Sequence, residues 1–167
     1  MSTKKHADQP HLTGEHTLGD RGQLILLLIF LGIWISDSFI WHYSTVLREL
    51  VPDYVRIGLA GLVLVSAWYL ARKGMKAVFG TERSQPGVID SGVFSLVRHP
   101  IYTGAILFYL GAILITLSIA SALFWFLIVA FYIIIARYEE RILTEEFGQD
   151  YLDYKKKTGM LFPKIFS

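Results

Sequence analysis

No cysteine occurs among the 167 residues, which excludes a disulfide framework, a thiolate nucleophile and a cysteine metal site. Charge is also scarce: Asp, Glu, Lys and Arg make up 18% of the chain, against about a quarter in an ordinary soluble domain. The shortage is uneven, because none of these four residue types occurs over 100–136. With 53% of the chain hydrophobic, a water-soluble fold of this size has too little interior to hide its apolar surface. The class that remains is an integral membrane protein.

As one helix, the uncharged run would extend roughly 55 Å at about 1.5 Å per residue. That is well beyond a hydrocarbon core of about 30 Å. The run must fold back, and the small, polar sequence Thr116-Leu117-Ser118-Ile119-Ala120-Ser121 at its middle is the natural turn. Two spans are expected, over 101–117 and 119–136. Upstream lie two further apolar segments, 24–40, interrupted only by Asp37, and 55–71, with Arg56 and Arg72 at its margins. The expected architecture is therefore an all-α integral membrane protein of four transmembrane helices. Spans three and four form a helical hairpin, and a C-terminal cytoplasmic amphipathic helix follows. None of the spans reads as a cleavable signal, because a polar stretch precedes the first.

The net charge of +2 says little, but its distribution says more. Lys and Arg number three before the first span, two over 42–56, five over 72–98 and six from Arg137 onward. Fourteen of the sixteen therefore fall on one side, which the positive-inside rule makes the cytoplasm, with both termini in it. Trp34, Trp41, Tyr43, Trp68 and Tyr69 fall near span ends, where amphipathic rings favour the headgroup zone. Lipid is the expected surrounding partner; no nucleic-acid partner is expected, and the oligomeric state is not legible.

Residues 1–22 lack apolar periodicity and are expected to be a mobile polar tail, followed by one membrane domain over 23–167. His6, His11 and His16 are spaced by five and do not stack on one helical face, so no metal site is expected. Residues 72–79 could lie on the membrane surface with basic groups toward anionic lipid. After the last span, Tyr138, Ile142, Leu143, Phe147, Tyr151 and Tyr154 recur at helical spacing, and Gly148 is a candidate break. Asp37 near a span end is expected to reach headgroups. The Gly58 and Gly61 pair suits tight helix packing.

Two constellations can carry chemistry. The first, Arg98-His99-Pro100-Ile101-Tyr102-Thr103-Gly104, stands where the middle loop enters the third span. Its plain reading is a helix start, with Pro100 at the first helical position, Arg98 snorkelling and Gly104 permitting close helix contact. The second, Arg137-Tyr138-Glu139-Glu140-Arg141-Ile142-Leu143, stands where the fourth span ends, and its plain reading is a solvated helix face with local ion pairs. A hairpin returns to the face it left, so the two motifs meet at one depth. Together they offer Arg98 as an anion clamp, His99 and Tyr102 as neutral donors or acceptors, and Glu139 and Glu140 as cation acceptors.

These residues carry a resemblance. Arg-His-Pro-x-Tyr-x-Gly, a helical hairpin, then Glu-Glu-x-x-Leu-x-x-x-Phe-Gly-x-x-Tyr-x-x-Tyr and a late Pro163 resembles the isoprenylcysteine carboxyl methyltransferase family and its phospholipid methyltransferase relatives, over about 90–163. The resemblance implies binding of S-adenosylmethionine by His99, Tyr102, Gly104, Glu139, Glu140 and Leu143, with Arg98 and Glu140 in catalytic roles. It further implies methyl transfer to a lipophilic acceptor. Such transfer needs no metal and no covalent intermediate; it needs positioning of a zwitterionic donor, with a cation for its carboxylate and an acceptor for its ammonium or ribose hydroxyls. Two other readings compete: a membrane-bound nicotinamide-dependent reductase of the sterol-reductase type, and a non-catalytic four-helix membrane subunit.

Overall fold

The computed structural model describes residues 17–80 and 87–164. Among these the chain is helical apart from its connections, with no strand and one isolated parallel bridge, between Val97 and Gly159. In chain order it forms α1 (Thr17–Ile35), continued by a π-helical turn over Ser36–Trp41, then a short α2 (Leu47–Leu50) and α3 (Asp53–Phe79). A 3₁₀ turn over Gly92–Ser95 precedes α4 (Pro100–Thr116), α5 (Ile119–Phe147) and α6 (Gln149–Lys157). Three segments are long and apolar enough to cross a membrane: Arg21–Trp41, Asp53–Phe79 and Ile119–Phe147. The fourth apolar helix, Pro100–Thr116, has 17 residues.

The turn between α4 and α5 falls at the polar sequence expected for it. Leu117 ends α4 in the left-handed region at φ 52°, its N–H donating to the Ile113 carbonyl. Ser118 caps α5, its hydroxyl accepting from the Ser121 N–H at 3.1 Å, so an orphan donor of the first turn is satisfied. Two helix lengths differ from expectation. The helix α3 does not lie down on a surface at 72–79 but runs on unbroken to Phe79. Arg72, Lys73 and Lys76 interrupt the hydropathy, but they, like Met75 and Ala77, are good helix formers. Arg72 and Lys73 fold back over the rings of Trp68 and Tyr69, one turn earlier, at 5.2 and 6.0 Å. Likewise α5 extends as one rod to Phe147, and the break comes at Gly148, where φ is +55°. At the other end α1 begins at Thr17, inside the stretch expected as a tail. The rest of that tail, with His6, His11 and His16, lies outside the described residues.

The core lies where α1, α4 and α5 meet. Phe30 and Ile128 are wholly buried and pack with Ile106, Tyr109, Ile113 and Tyr132; the Phe30 and Tyr109 rings meet edge to face at 4.8 Å. Indole donors cross between helices within this core. Trp34 Nε1 donates to the Ala112 carbonyl at 3.0 Å and Trp125 Nε1 to the Ile106 carbonyl at 3.0 Å. Trp34 is thus half-buried against the last turns of α4.

Small residues set the seam between α3 and α4. Ala60, Ala67 and Gly74 are buried at seven-residue intervals on α3; Ala60 and Ala67 face Gly111 and Gly104 of α4, also buried, and Gly74 faces Pro100 and Ile101. A Cβ on Gly104 would lie 2.8 Å from the Ala67 carbonyl oxygen, and one on Gly111 would lie 2.6 Å from the Leu64 side chain. By contrast Gly58 and Gly61, expected to serve close packing, have nothing within 4 Å.

The end of the bundle away from Arg98 is tied by buried polar groups. Asp37, expected at the headgroups, is instead 6% exposed. It accepts from Ser44 N–H at 2.9 Å and from the hydroxyls of Ser44 and Ser118. Arg56 is buried as well, paired with Asp53 at 2.7 Å and donating to the Ile115 carbonyl. Gly104→Leu should lower the unfolding midpoint in detergent micelles by the equivalent of about 1–3 kcal/mol of overpacking. Gly58→Leu, entering open space, should stay within about 0.5 kcal/mol of the parent.

Candidate functional site

The loop into α4, the end of α5 and the segment after α6 converge on one cluster. The 97–99 backbone is held by the segment after α6: Arg98 N–H donates to the Gly159 carbonyl at 2.8 Å and His99 N–H to the Met160 carbonyl at 3.1 Å. Thr103, one turn into α4, adds a hydroxyl donation to the Leu161 carbonyl at 3.0 Å. Pro100 then starts the helix, where a missing N–H costs nothing because first-turn donors have no intrahelical partner. On the α5 side, Glu139 and Glu140 are neighbours in sequence and so point in different directions from the helix.

Glu140 is 5% exposed and fully engaged. Its Oε1 accepts from Arg98 Nε at 2.6 Å, and its Oε2 lies 3.0 Å from Lys155 Nζ. Arg98 Nη1 donates to the carbonyls of Lys155, at 3.3 Å, and Thr158. Arg98 Nη2 has no partner among the described residues. Glu139 accepts from the Tyr102 hydroxyl. His99 lies between the two carboxylates, with Nδ1 3.4 Å from Glu139 Oε2 and Nε2 3.4 Å from Glu140 Oε1. Those separations bring charge contact without hydrogen-bond alignment, and Nε2 is buried with its bonding capacity unmet. The His99 ring stacks on Tyr102 at 5.5 Å, with planes 4° apart. Burial by itself would push the His99 imidazole down, but the carboxylates of Glu139 and Glu140 outweigh it and raise the pKa above the ordinary value.

Beside this cluster lies a cavity of about 320 Å³, within the roughly 300–1,000 Å³ range of small-molecule sites. Arg98, His99, Tyr102 and Glu139 supply its polar side. Met75, Val78 and Phe79 of α3, Ile135, Leu143 and Phe147 of α5, and Tyr151 and Tyr154 of α6 supply much of the rest, with Gln23 of α1 and the 87–89 segment at its edge. Tyr154 is fixed by donating to the Phe94 carbonyl at 2.6 Å.

Of the residues expected at a site, Arg98, His99, Tyr102, Glu139 and Leu143 are thus brought to one cavity. Glu140 stands behind it, outside the lining. Gly104 is turned away, its open side filled by Ala67 and Ala71 of α3, so it shapes the helix seam and not the cavity. Sequence reasoning missed Lys155, Thr158 and Gly159. The only trace of them is the basic triplet Lys155-Lys156-Lys157 ending α6, which equally suits a helix C-terminus.

The family model for phospholipid methyltransferases matches residues 54–150, more than half of the chain and all of the α4–α5 unit. The chain belongs to the phospholipid methyltransferase family. Among its curated relatives, methanethiol S-methyltransferase 2 of Bradyrhizobium diazoefficiens is 34% identical over 151 residues, covering 86% of this chain and 57% of the relative. Protein-S-isoprenylcysteine O-methyltransferase of Saccharomyces cerevisiae is 34% identical over 79 residues, covering 47% of this chain and 33% of the relative. Cobalt-zinc-cadmium resistance protein CzcN of Cupriavidus metallidurans is 28% identical over 115 residues, covering 68% and 51%. The chain therefore spans about half the length of several curated relatives or less, and their names differ in what they act on.

Because the folded chain holds the His99 proton more tightly than the unfolded one, that proton's stabilisation is complete below about pH 6.5. It is lost as pH rises through the elevated folded-state value. The unfolding-temperature gap between the parent and His99→Gln should accordingly shrink on titration from about pH 6 to about pH 9, followed by scanning fluorimetry in detergent.

Proposed function

We propose that this member of the phospholipid methyltransferase family binds S-adenosylmethionine in the cavity beside Arg98 and Glu139 and transfers its methyl group to a lipophilic acceptor. The observation that carries the reading is the placement of Arg98, whose Nη2 has no partner among the described residues, with buried His99 and the Glu139 carboxylate in the lining of a cavity whose other walls are mostly apolar and aromatic. That donor set suits a zwitterion joined to a flat heterocycle. Arg98 Nη2 would take the donor's carboxylate, with the His99 imidazole beside it. Glu139 would accept from the ammonium or a ribose hydroxyl, and Leu143, Phe147 and Tyr151 would flank the adenine. When bound, S-adenosylmethionine supplies an electrophilic methyl on a sulfonium centre.

The residues' own contribution is position and dielectric. Burial pushes the Tyr151 and Tyr154 phenols up, so both stay neutral, and the walls expel water and strengthen the fixed charges. Glu140 holds Arg98 rather than touching the donor. The names methanethiol and isoprenylcysteine among the relatives agree with an acceptor that partitions into an apolar surrounding.

In this reading α4 is a fourth span. Its 17 residues reach about 25 Å at roughly 1.5 Å each, and it lies along α3. The site, both termini and fourteen of the sixteen basic residues then face the cytoplasm, where α6 rests as an amphipathic helix with Tyr151 and Tyr154 inward.

Calorimetry on protein reconstituted in lipid should show saturable S-adenosylmethionine binding. Glu139→Gln should weaken it about tenfold to a hundredfold, the equivalent of losing a charge-assisted hydrogen bond of about 1.5–3 kcal/mol. No binding by the parent chain, or binding of a reduced nicotinamide nucleotide in its place, would sink the reading.

A further inference from the structure

An arginine and a carboxylate left to themselves usually close a two-point fork. On the guanidinium edge that carries Nε, the second donor of such a fork is Nη2. At Glu140 the fork is half made. Oε1 takes Arg98 Nε at 2.6 Å, but Oε2 is 3.0 Å from Lys155 Nζ. Lys155 acts a second time through its carbonyl, which with that of Thr158 takes Arg98 Nη1. Of the three guanidinium nitrogens, two are therefore bound and Nη2 has no partner among the described residues. Lys155 itself is held in place: its side chain is 34% exposed and its ammonium lies 6.0 Å from the centre of the Tyr151 ring. The next residue offers a contrast, since the Lys156 side chain is 69% exposed and pairs with the half-exposed Asp153.

We propose that Lys155 is a positioning residue for the donor site: by occupying Oε2 of Glu140, it keeps Arg98 from closing the fork and leaves Nη2 for the carboxylate of S-adenosylmethionine. This rests on the methyltransferase reading of the cavity. Without the Lys155 ammonium, Oε2 is a buried carboxylate oxygen lacking its cation, and Arg98 Nη2, on the same guanidinium edge as the Nε already bound to Oε1, is the donor placed to complete a fork with it. The guanidinium then turns fully onto Glu140 and its free donor is withdrawn from the cavity. Lys155 thus acts on the donor through Arg98 and touches it nowhere.

The experiment uses the full chain in lipid nanodiscs, with calorimetric dissociation constants for S-adenosylmethionine and for its decarboxylated form. Lys155→Met should weaken binding of the intact donor about tenfold or more, about 1.4 kcal/mol. It should leave binding of the decarboxylated donor, which lacks the group Nη2 would hold, at the parent's value. Lys155→Arg, which can reoccupy Oε2, should restore the intact donor to within about threefold of the parent, and Lys156→Met should change neither constant. If Lys155→Met does not fold, Lys155→Gln takes its place with the same expectations. Equal weakening for both donors would make Lys155 a structural residue and overturn the proposal, as would parent-like binding of the intact donor by Lys155→Met. Absence of donor binding by the parent would instead overturn the methyltransferase reading beneath it.

Discussion

The carboxylate of Glu140 is the point at which three separate parts of the chain are made to agree. It is buried on α5, so it must be compensated, and its compensators come from the loop entering α4 and from α6. Removing one partner from a buried ion pair commonly costs about 3–5 kcal/mol, so none of the three parts can drift from the others without penalty. The backbone pairing of Arg98 and His99 with Gly159 and Met160 repeats the same constraint without charge. The positions of His99, Tyr102 and Glu139 around the cavity follow from this anchoring.

A second constraint fixes the depth of the cluster. Arg98 stands just before the first turn of α4, so its height is whatever the seam with α3 makes it. Gly104 and Gly111 let α4 approach to the point where a single methyl group would strike Ala67 or Leu64. Sliding α4 along α3 would bring side chains into those gaps. A glycine that never meets a ligand can in this way govern where the ligand-facing residues stand.

Much of this was legible in the sequence, and what was not has physical reasons. The charge-free run forced a turn, and Ser118, a good helix cap among small residues, marked it. Arg98, His99, Tyr102, Glu139 and Leu143 could be brought together because a hairpin of two helices has one geometry. The different fates of Glu139 and Glu140 were hidden, because adjacency in a helix says that two side chains diverge but not which one meets the cavity. For Gly104 the plain reading, close helix contact, is the one the seam with α3 shows; its place at the donor site followed from the resemblance alone. Lys155 and the carbonyls of Thr158–Leu161 left no pattern at all: backbone acceptors carry no side-chain signature, and one lysine in a triplet looks like its neighbours. Asp37 was placed among headgroups because hydropathy locates a charge along a helix and not around it.

The opposite end of the bundle gives the site a mechanical setting. Asp37 binds the turn at Ser44 to the turn at Ser118, and Arg56 fastens the start of α3 to the last turn of α4. With that end pinned, helix motion resembles that of a lever with its fulcrum at the polar knot. Over the 29 residues of α5, about 43 Å at roughly 1.5 Å per residue, a tilt of about five degrees at the fulcrum becomes a displacement of about 4 Å at the far tip, the width of a methyl group. Whatever slackness the helices retain is therefore delivered to the walls around Met75, Phe79 and Phe147, as breathing of a mouth whose hinge never loosens.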